Sequence, residues 1–261
     1  MEFEQLGLFD EEYPQYKIDK PIRLCTLFSG LGAQEMAMKQ LGVDFEIYKA
    51  VEFDEHAIRS YNAIHGTNFP TLDVNNVHAA DLEIVDRDKY CYILFYSWPC
   101  TSLSLAGKQE GMVEGSGTAS SLLWQVKRII DECGDNLPDV LISENVTQCH
   151  SDKNMPEFER WIQFLRSKGY SNFYGDLNAK DFGVPQNRDR CFMVSMLGKY
   201  DFQFPKTIPL EKVINDVLDA IMSTTRTTWS KSNSTWGKSH IIIDNNDIFN
   251  FNFKIGNNLS N

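Results

Sequence analysis

The chain has 261 residues, 42% of them hydrophobic, and a formal net charge of −11. That length accommodates one large domain with a small appendage and a sizeable core. The acidic balance argues against a protein that grips nucleic acid through general positive charge, although a local basic strip can still face phosphates on an otherwise acidic surface.

Residues 1–21 are polar and aromatic, with Pro14 and Pro21, and read as a leader ahead of the core. No apolar secretion segment or membrane-length run occurs in the sequence. The six cysteines (Cys25, Cys91, Cys100, Cys133, Cys149 and Cys191) form no CxxC pair. The expectation is a reduced, cytoplasmic protein without a membrane segment, a disulfide framework or a metal site.

Residues 23–28 predict a strand, 29–32 a tight turn, and 33–41 a helix that stops at Gly42. A second strand over 47–51 ends at Glu52, and 54–61 predicts a helix. The unbroken apolar run 91–96 suits a strand buried on both faces. Across 120–133, Leu122, Leu123, Val126, Ile129 and Ile130 share one helical face. A short strand at 140–142 precedes an amphipathic helix over 156–168, with Pro156 in its first turn and Gly169 at its end. Residues 191–197 predict another strand, and beyond Leu210 the chain turns rich in Ser, Thr, Trp and Asn, suited to short strands and loops. Alternating strands and helices predict an α/β fold, a mostly parallel sheet with helices on both faces. Ligands of such folds lie beyond the carboxyl ends of the strands. Gly30, Glu52, Cys100 and Glu144 all fall there.

Phe28-Ser29-Gly30-Leu31-Gly32 joins a strand to a helix, where glycine permits a tight turn and close approach to a ligand; an ordinary turn is the plain alternative. Glu52 lies twenty positions after Gly32, placed to accept hydrogen bonds from ribose hydroxyls or to be a solvated helix cap. Asp73 suits an adenine amino group and equally a turn cap. Pro99-Cys100 follows the 91–96 strand, so Cys100 is either a nucleophile or a buried inert thiol. Glu144 in Ser143-Glu144-Asn145-Val146 can hold a proton for a ring nitrogen, or be a surface acid. Arg188 and Arg190 are two apart and point the same way if extended, toward a phosphate or base carbonyl, or into ion pairs with Asp189 or Asp181.

Taken in order, these segments, together with residues 177–190, resemble the family of cytosine-C5 DNA methyltransferases over about residues 22–205. The resemblance implies a Rossmann-like methyltransferase fold, S-adenosyl-L-methionine as cofactor and duplex DNA as partner. It further implies that Phe28, Gly30, Leu31 and Gly32 shape the cofactor loop and that Glu52 holds the ribose. Phe53 would lie near the adenine, Asp73 and Val74 at its edge, and Pro99 would set the nucleophile loop. Cys100 would attack carbon 6 of a flipped cytosine, and Glu144 would contact N3 and the amino group. Arg190 would contact the base carbonyl, with Arg188 supporting the pocket. Asn145 and Gln186 would organise their loops, and Ser104 and Lys108 would belong to a loop closing over DNA. Ala33, Thr101 and Leu103 depart from the family pattern, where Gly, Gln and Phe are frequent.

The resemblance divides the chain into the leader 1–21, a catalytic domain 22–210 and a partial target-recognition region 211–261. In that last region Trp229, Lys231, Trp236, Lys238 and His240 are candidates to face DNA, with core aromatics and solvated lysines the simpler reading. The family's closing segments are not found, which predicts a truncated enzyme or one completed by a complementary subunit, in a bacterial or phage-encoded setting. Two alternatives stay open: a tRNA cytosine-C5 methyltransferase, and a noncatalytic fragment that binds adenosylmethionine or a partner.

Overall fold

A computed structural model describes residues 13–104, 109–211 and 213. Six strands form one sheet: β1 (Ile22–Leu27), β2 (Phe45–Val51), β3 (Cys91–Tyr96), β4 (Val140–Asn145), β5 (Tyr170–Asn178) and β6 (Asp189–Leu197). They are joined through α1 (Ala33–Gln40), α2 (Glu55–His65), α3 (Ala79–Leu82), α4 (Leu123–Glu132) and α5 (Met155–Ser167). The order across the sheet is β2-β1-β3-β4-β6-β5. The first four strands pair in parallel, and β6 runs antiparallel to both β4 and β5. This is the expected mostly parallel α/β fold with an antiparallel margin.

Alternate residues of the central strands divide between two cores, as the pleat requires. Tyr92, Leu94, Tyr96 and Leu141 join a large core with Leu123, Val126, Ile129 and Ile130 of α4 and Phe158, Trp161 and Leu165 of α5. Cys91, Ile93 and Val140 point to the other side, where Met38 of α1 packs beside Tyr16, Ile18, Tyr200 and Phe202. Part of the expected leader is thus docked on the sheet: Gln15 bridges Asp201, and the Tyr16 and Tyr200 rings meet edge to face at 4.8 Å. Residues 1–12, Lys108 and nearly all of the expected target-recognition region, including Trp229, Lys231, Trp236, Lys238 and His240, lie outside the described residues.

Three differences from the sequence reading have physical causes. The helix expected over 120–133 opens with a 3-10 turn at Ala119–Leu122 and becomes α-helical at Leu123. The strand expected at 140–142 continues to Asn145 because β6 pairs with it to the end, Glu144 opposite Phe192 and Asn145 opposite Cys191. Glu144 therefore sits on a strand. Finally, β5 was not expected; it is an edge strand bonded to β6 alone, and Tyr-Ser-Asn-Phe-Tyr-Gly-Asp carries no clean apolar alternation.

Candidate active site

The sheet sets four segments at one level. Leu27 lies opposite both Val51 and Tyr96, and Tyr96 lies opposite Ser143. The next residues, Glu52, Phe28, Ser97 and Glu144, thus form a row along the carboxyl edge of β2, β1, β3 and β4. Three interstrand spacings make that row about 14 Å long. The strand order reverses between β1 and β3, which is where ligands of such sheets bind.

After β1 the chain makes a left-handed turn, with φ of 58° at Phe28, 55° at Gly30 and 79° at Gly32. The Ser29 amide donates to Val51 O at 3.0 Å, and the Gly30 amide donates to the Glu52 carboxylate at 2.9 Å. The other Glu52 oxygen accepts from the Asp54 amide at 2.9 Å. Glu52 is only 8% exposed, so it is not a solvated cap; Asp54 caps α2 instead, accepting from the His56 and Ala57 amides. A methyl group on Gly32 would overlap His65 Nε2 and come within 2.8 Å of Glu35 Oε2 and Tyr61, whereas one on Gly30 would meet nothing within 4 Å.

Beneath this turn, His65 Nε2 lies 3.0 Å from Leu31 O, and burial lowers the His65 pKa, favouring the neutral ring with Nε2–H as donor. Glu35 is fully buried, and its Oε1 accepts from the Tyr61 hydroxyl at 2.7 Å. Burial raises the Glu35 pKa against that bond. Leu31 within the turn and Phe53, next to Glu52, are exposed apolar side chains, Phe53 by 68%.

Asp73 caps the turn Val74–Asn76, its Oδ1 accepting from the Asn75 amide at 2.9 Å. Leu72 N donates to Glu52 O at 2.8 Å, tying this turn to the end of β2. Arg128 of α4, which sequence reasoning passed over, donates to Val74 O at 3.0 Å and Val77 O at 2.7 Å.

Cys100 is half-buried, and the other five cysteines are buried. Its loop is anchored on both flanks. Asn145, 2% exposed, donates from Nδ2 to Trp98 O at 2.9 Å and accepts the Val146 amide at 2.8 Å. That bond ties the end of β4 directly to the loop after β3. Ser120 donates to Pro99 O at 2.7 Å. The Leu103 and half-buried Ser104 amides both donate to Cys100 O at 2.9 Å.

Glu144 holds both expected arginines, Arg190 Nε at 2.9 Å and Arg188 at 3.6 Å, so the two side chains do converge, on Glu144 rather than on Asp181 or Asp189. The segment before β6 is shaped by Asn178, another residue sequence reasoning missed. Its amide nitrogen donates to Asn187 and Asp189 side chains at 2.8 and 2.7 Å, and its oxygen accepts from the Arg188 amide at 3.1 Å. Gln186 is exposed beside it.

The site therefore carries a half-buried thiol, a carboxylate oriented by two guanidinium groups, and a glycine turn beside a buried carboxylate and an exposed aromatic ring. Such a set can hold a nucleoside-like ligand at one end and a planar polar heterocycle at the other.

A family model described as C-5 cytosine-specific DNA methylase matches residues 22–259. The type II methyltransferase M2.ScrFI of Lactococcus lactis subsp. cremoris is 31% identical over 251 residues, covering 77% of this chain and 69% of that protein. The orphan methyltransferase M.SssI of Spiroplasma monobiae is 33% identical over 257 residues, covering 78% of this chain and 66% of its own length. The solved structure of S. pombe Dnmt2 methyltransferase shares the fold, with a TM-score of 0.53 at 21% identity over 81% of this chain and 57% of the other. The chain thus spans between about half and about two thirds of the length of these similar proteins.

Proposed function

Since the chain belongs to the family of C-5 cytosine-specific DNA methylases, we propose that it transfers a methyl group from S-adenosyl-L-methionine to carbon 5 of cytosine in duplex DNA. The observation that carries this reading is the bond from Asn145 to Trp98 O, which sets the Cys100 loop against the strand end bearing Glu144 and its two arginines.

The cofactor, when bound, supplies an electrophilic methyl group on positive sulfur. The residues present suit it: the Gly30–Gly32 turn admits close backbone approach, Phe53 offers an exposed ring for the adenine, and Leu31 lines the same edge. Glu52 would take the ribose hydroxyls, with Asp73 and Val74 at the adenine edge. Asp73 and Glu52 already carry backbone bonds, so each would share its oxygens between the fold and the ligand.

Carbon 5 of cytosine is a weak nucleophile. Addition of the Cys100 thiolate to carbon 6, with a proton held by Glu144 at N3, places electron density on carbon 5. Carbon 5 would then take the methyl group as the sulfur–methyl bond breaks and its electron pair stays on a neutral thioether. Loss of the carbon 5 proton to water, cleavage of the bond from carbon 6 to Cys100 Sγ and return of the N3 proton to Glu144 would restore the ring and the thiolate. Arg190 and Arg188 orient Glu144 and would meet the base carbonyl or a nearby phosphate. The target base must leave the stack to reach Cys100. Ser104 and Lys108 would close over the DNA, with Gln186 at the rim.

Among the described residues no helix is long and apolar enough to cross a membrane. A bacterial or phage-encoded protein of the cytoplasm, where thiols stay reduced, suits a Cys100 nucleophile. Beside DNA, a complementary subunit carrying further family segments is the partner we propose.

The test is tritiated-methyl transfer onto duplex DNA and onto tRNA, with and without a polypeptide carrying the remaining family segments. DNA containing 5-fluorocytosine should trap a covalent adduct that Cys100→Ser abolishes. Transfer to tRNA alone supports the RNA enzyme. Cofactor binding with neither transfer nor adduct in any arm supports a noncatalytic fragment.

A further inference from the structure

Ser120 lies twenty residues beyond the nucleophile, in the 3-10 turn that leads into α4, and its side chain is fully buried. Its hydroxyl donates to Pro99 O at 2.7 Å and accepts from the Ser102 amide at 3.2 Å. Those two backbone groups bracket Cys100. We propose that Ser120 is a positioning residue for Cys100, one side-chain oxygen that holds the peptide groups on both sides of the thiol and so fixes the direction in which the sulfur is presented.

A serine hydroxyl offers one donor and two acceptor lone pairs, and here the donor and one acceptor both serve the same short loop. No other described side chain bonds both flanks of Cys100. Asn145 reaches only Trp98 O, and the Leu103 and Ser104 amides close the turn from within. The neighbouring Ser121 hydroxyl donates backward to Thr118 O at 2.7 Å and leaves the Cys100 loop untouched. The chain therefore contains a matched internal comparison, adjacent hydroxyls on one turn of which only Ser120 touches the nucleophile loop. Because the turn that holds Ser120 runs directly into α4, which carries Arg128 with its guanidinium on the 74–77 turn, one continuous segment steadies both the thiol and the adenine-edge segment. Naming Cys100 a nucleophile rests on the proposed methyltransferase reading; the restraint on its loop does not.

Cysteine alkylation under native conditions tests the restraint. With five of six cysteines buried, iodoacetamide should label Cys100 selectively, and the buried five report any general loosening. Ser120→Ala leaves Pro99 O and Ser102 N–H unpaired in a water-poor site, so the loop swings outward. The rate at Cys100 should rise at least fivefold, with the other cysteines unlabelled and Ser121→Ala within twofold of the wild type. In methyl transfer, Ser120→Ala should lower kcat at least tenfold while leaving KM for the cofactor within twofold. An unchanged Cys100 rate in Ser120→Ala overturns the proposal. So does equal acceleration in Ser121→Ala, or labelling of Cys25, Cys91, Cys133, Cys149 and Cys191 alongside Cys100. If no preparation transfers methyl groups, the functional reading fails while alkylation still decides whether Ser120 restrains the loop.

Discussion

Replacing Asn145 separates the two loops on which the proposed chemistry depends. Asn145→Ala removes the donor to Trp98 O and the acceptor for the Val146 amide. Trp98 and Val146 are themselves buried, so water does not readily replace either bond. Each orphaned group costs about 1–3 kcal/mol, and a total of about 3 kcal/mol is expected. With an m-value of about 2–3 kcal/mol/M, the urea midpoint falls by about 1–1.5 M. Asn145→Asp is the sharper probe. One oxygen still accepts from Val146, but the other faces the Trp98 carbonyl as acceptor against acceptor, and the charge is buried. Burial raises the folded pKa of that new acid above its unfolded value. Its stabilising form is then the protonated one, present at low pH and lost as pH rises through the folded pKa. Asn145→Asp should therefore gain stability relative to Asn145→Ala between pH 7 and pH 4.5. Urea titrations followed by tryptophan fluorescence measure both. A midpoint change under 0.3 M for Asn145→Ala, or no relative gain for Asn145→Asp in acid, would refute the assignment of this bond as the tie between the loops.

The two cofactor-turn glycines should behave differently. Gly30→Ala adds only left-handed backbone strain, about 1 kcal/mol, whereas Gly32→Ala adds a clash with His65, Glu35 and Tyr61 for about 2–4 kcal/mol in all, seen in thermal or urea unfolding. Burial raises the Glu35 pKa, so its contribution to stability is full below the unfolded value near 4.5 and falls as pH rises through the folded value. Glu35→Gln should therefore gain stability relative to the wild type between pH 5 and pH 8, and a pH-independent difference in urea midpoint would count against it. Arg128→Met keeps the aliphatic packing but frees Val74 O and Val77 O. It should weaken cofactor binding about tenfold, near 1.4 kcal/mol, by equilibrium dialysis, without altering the alkylation rate of Cys100.

The local chemistry was legible because it repeats along the chain. The run at β3 stays apolar because that strand is buried on both faces, and α4 and α5 show their buried stripe because a helix returns to one side every three or four residues. The turn at Gly30 and Gly32 and the loop at Pro99-Cys100 stand out for the same reason, each lying just after such a strand. What only the tertiary structure decided are partnerships between distant residues. Ser120 has no pattern that ties it to Pro99, nor Arg128 to Val74, nor Asn178 to the Arg188 amide, because each bond joins separate elements that meet only after the sheet forms. Glu144 became a strand residue and the convergence point of two arginines through pairing with β6, which arrives more than forty positions later. Side-chain type and periodicity are properties of a segment; a hydrogen-bond partner across a sheet is a property of the register, and register is set by the whole fold.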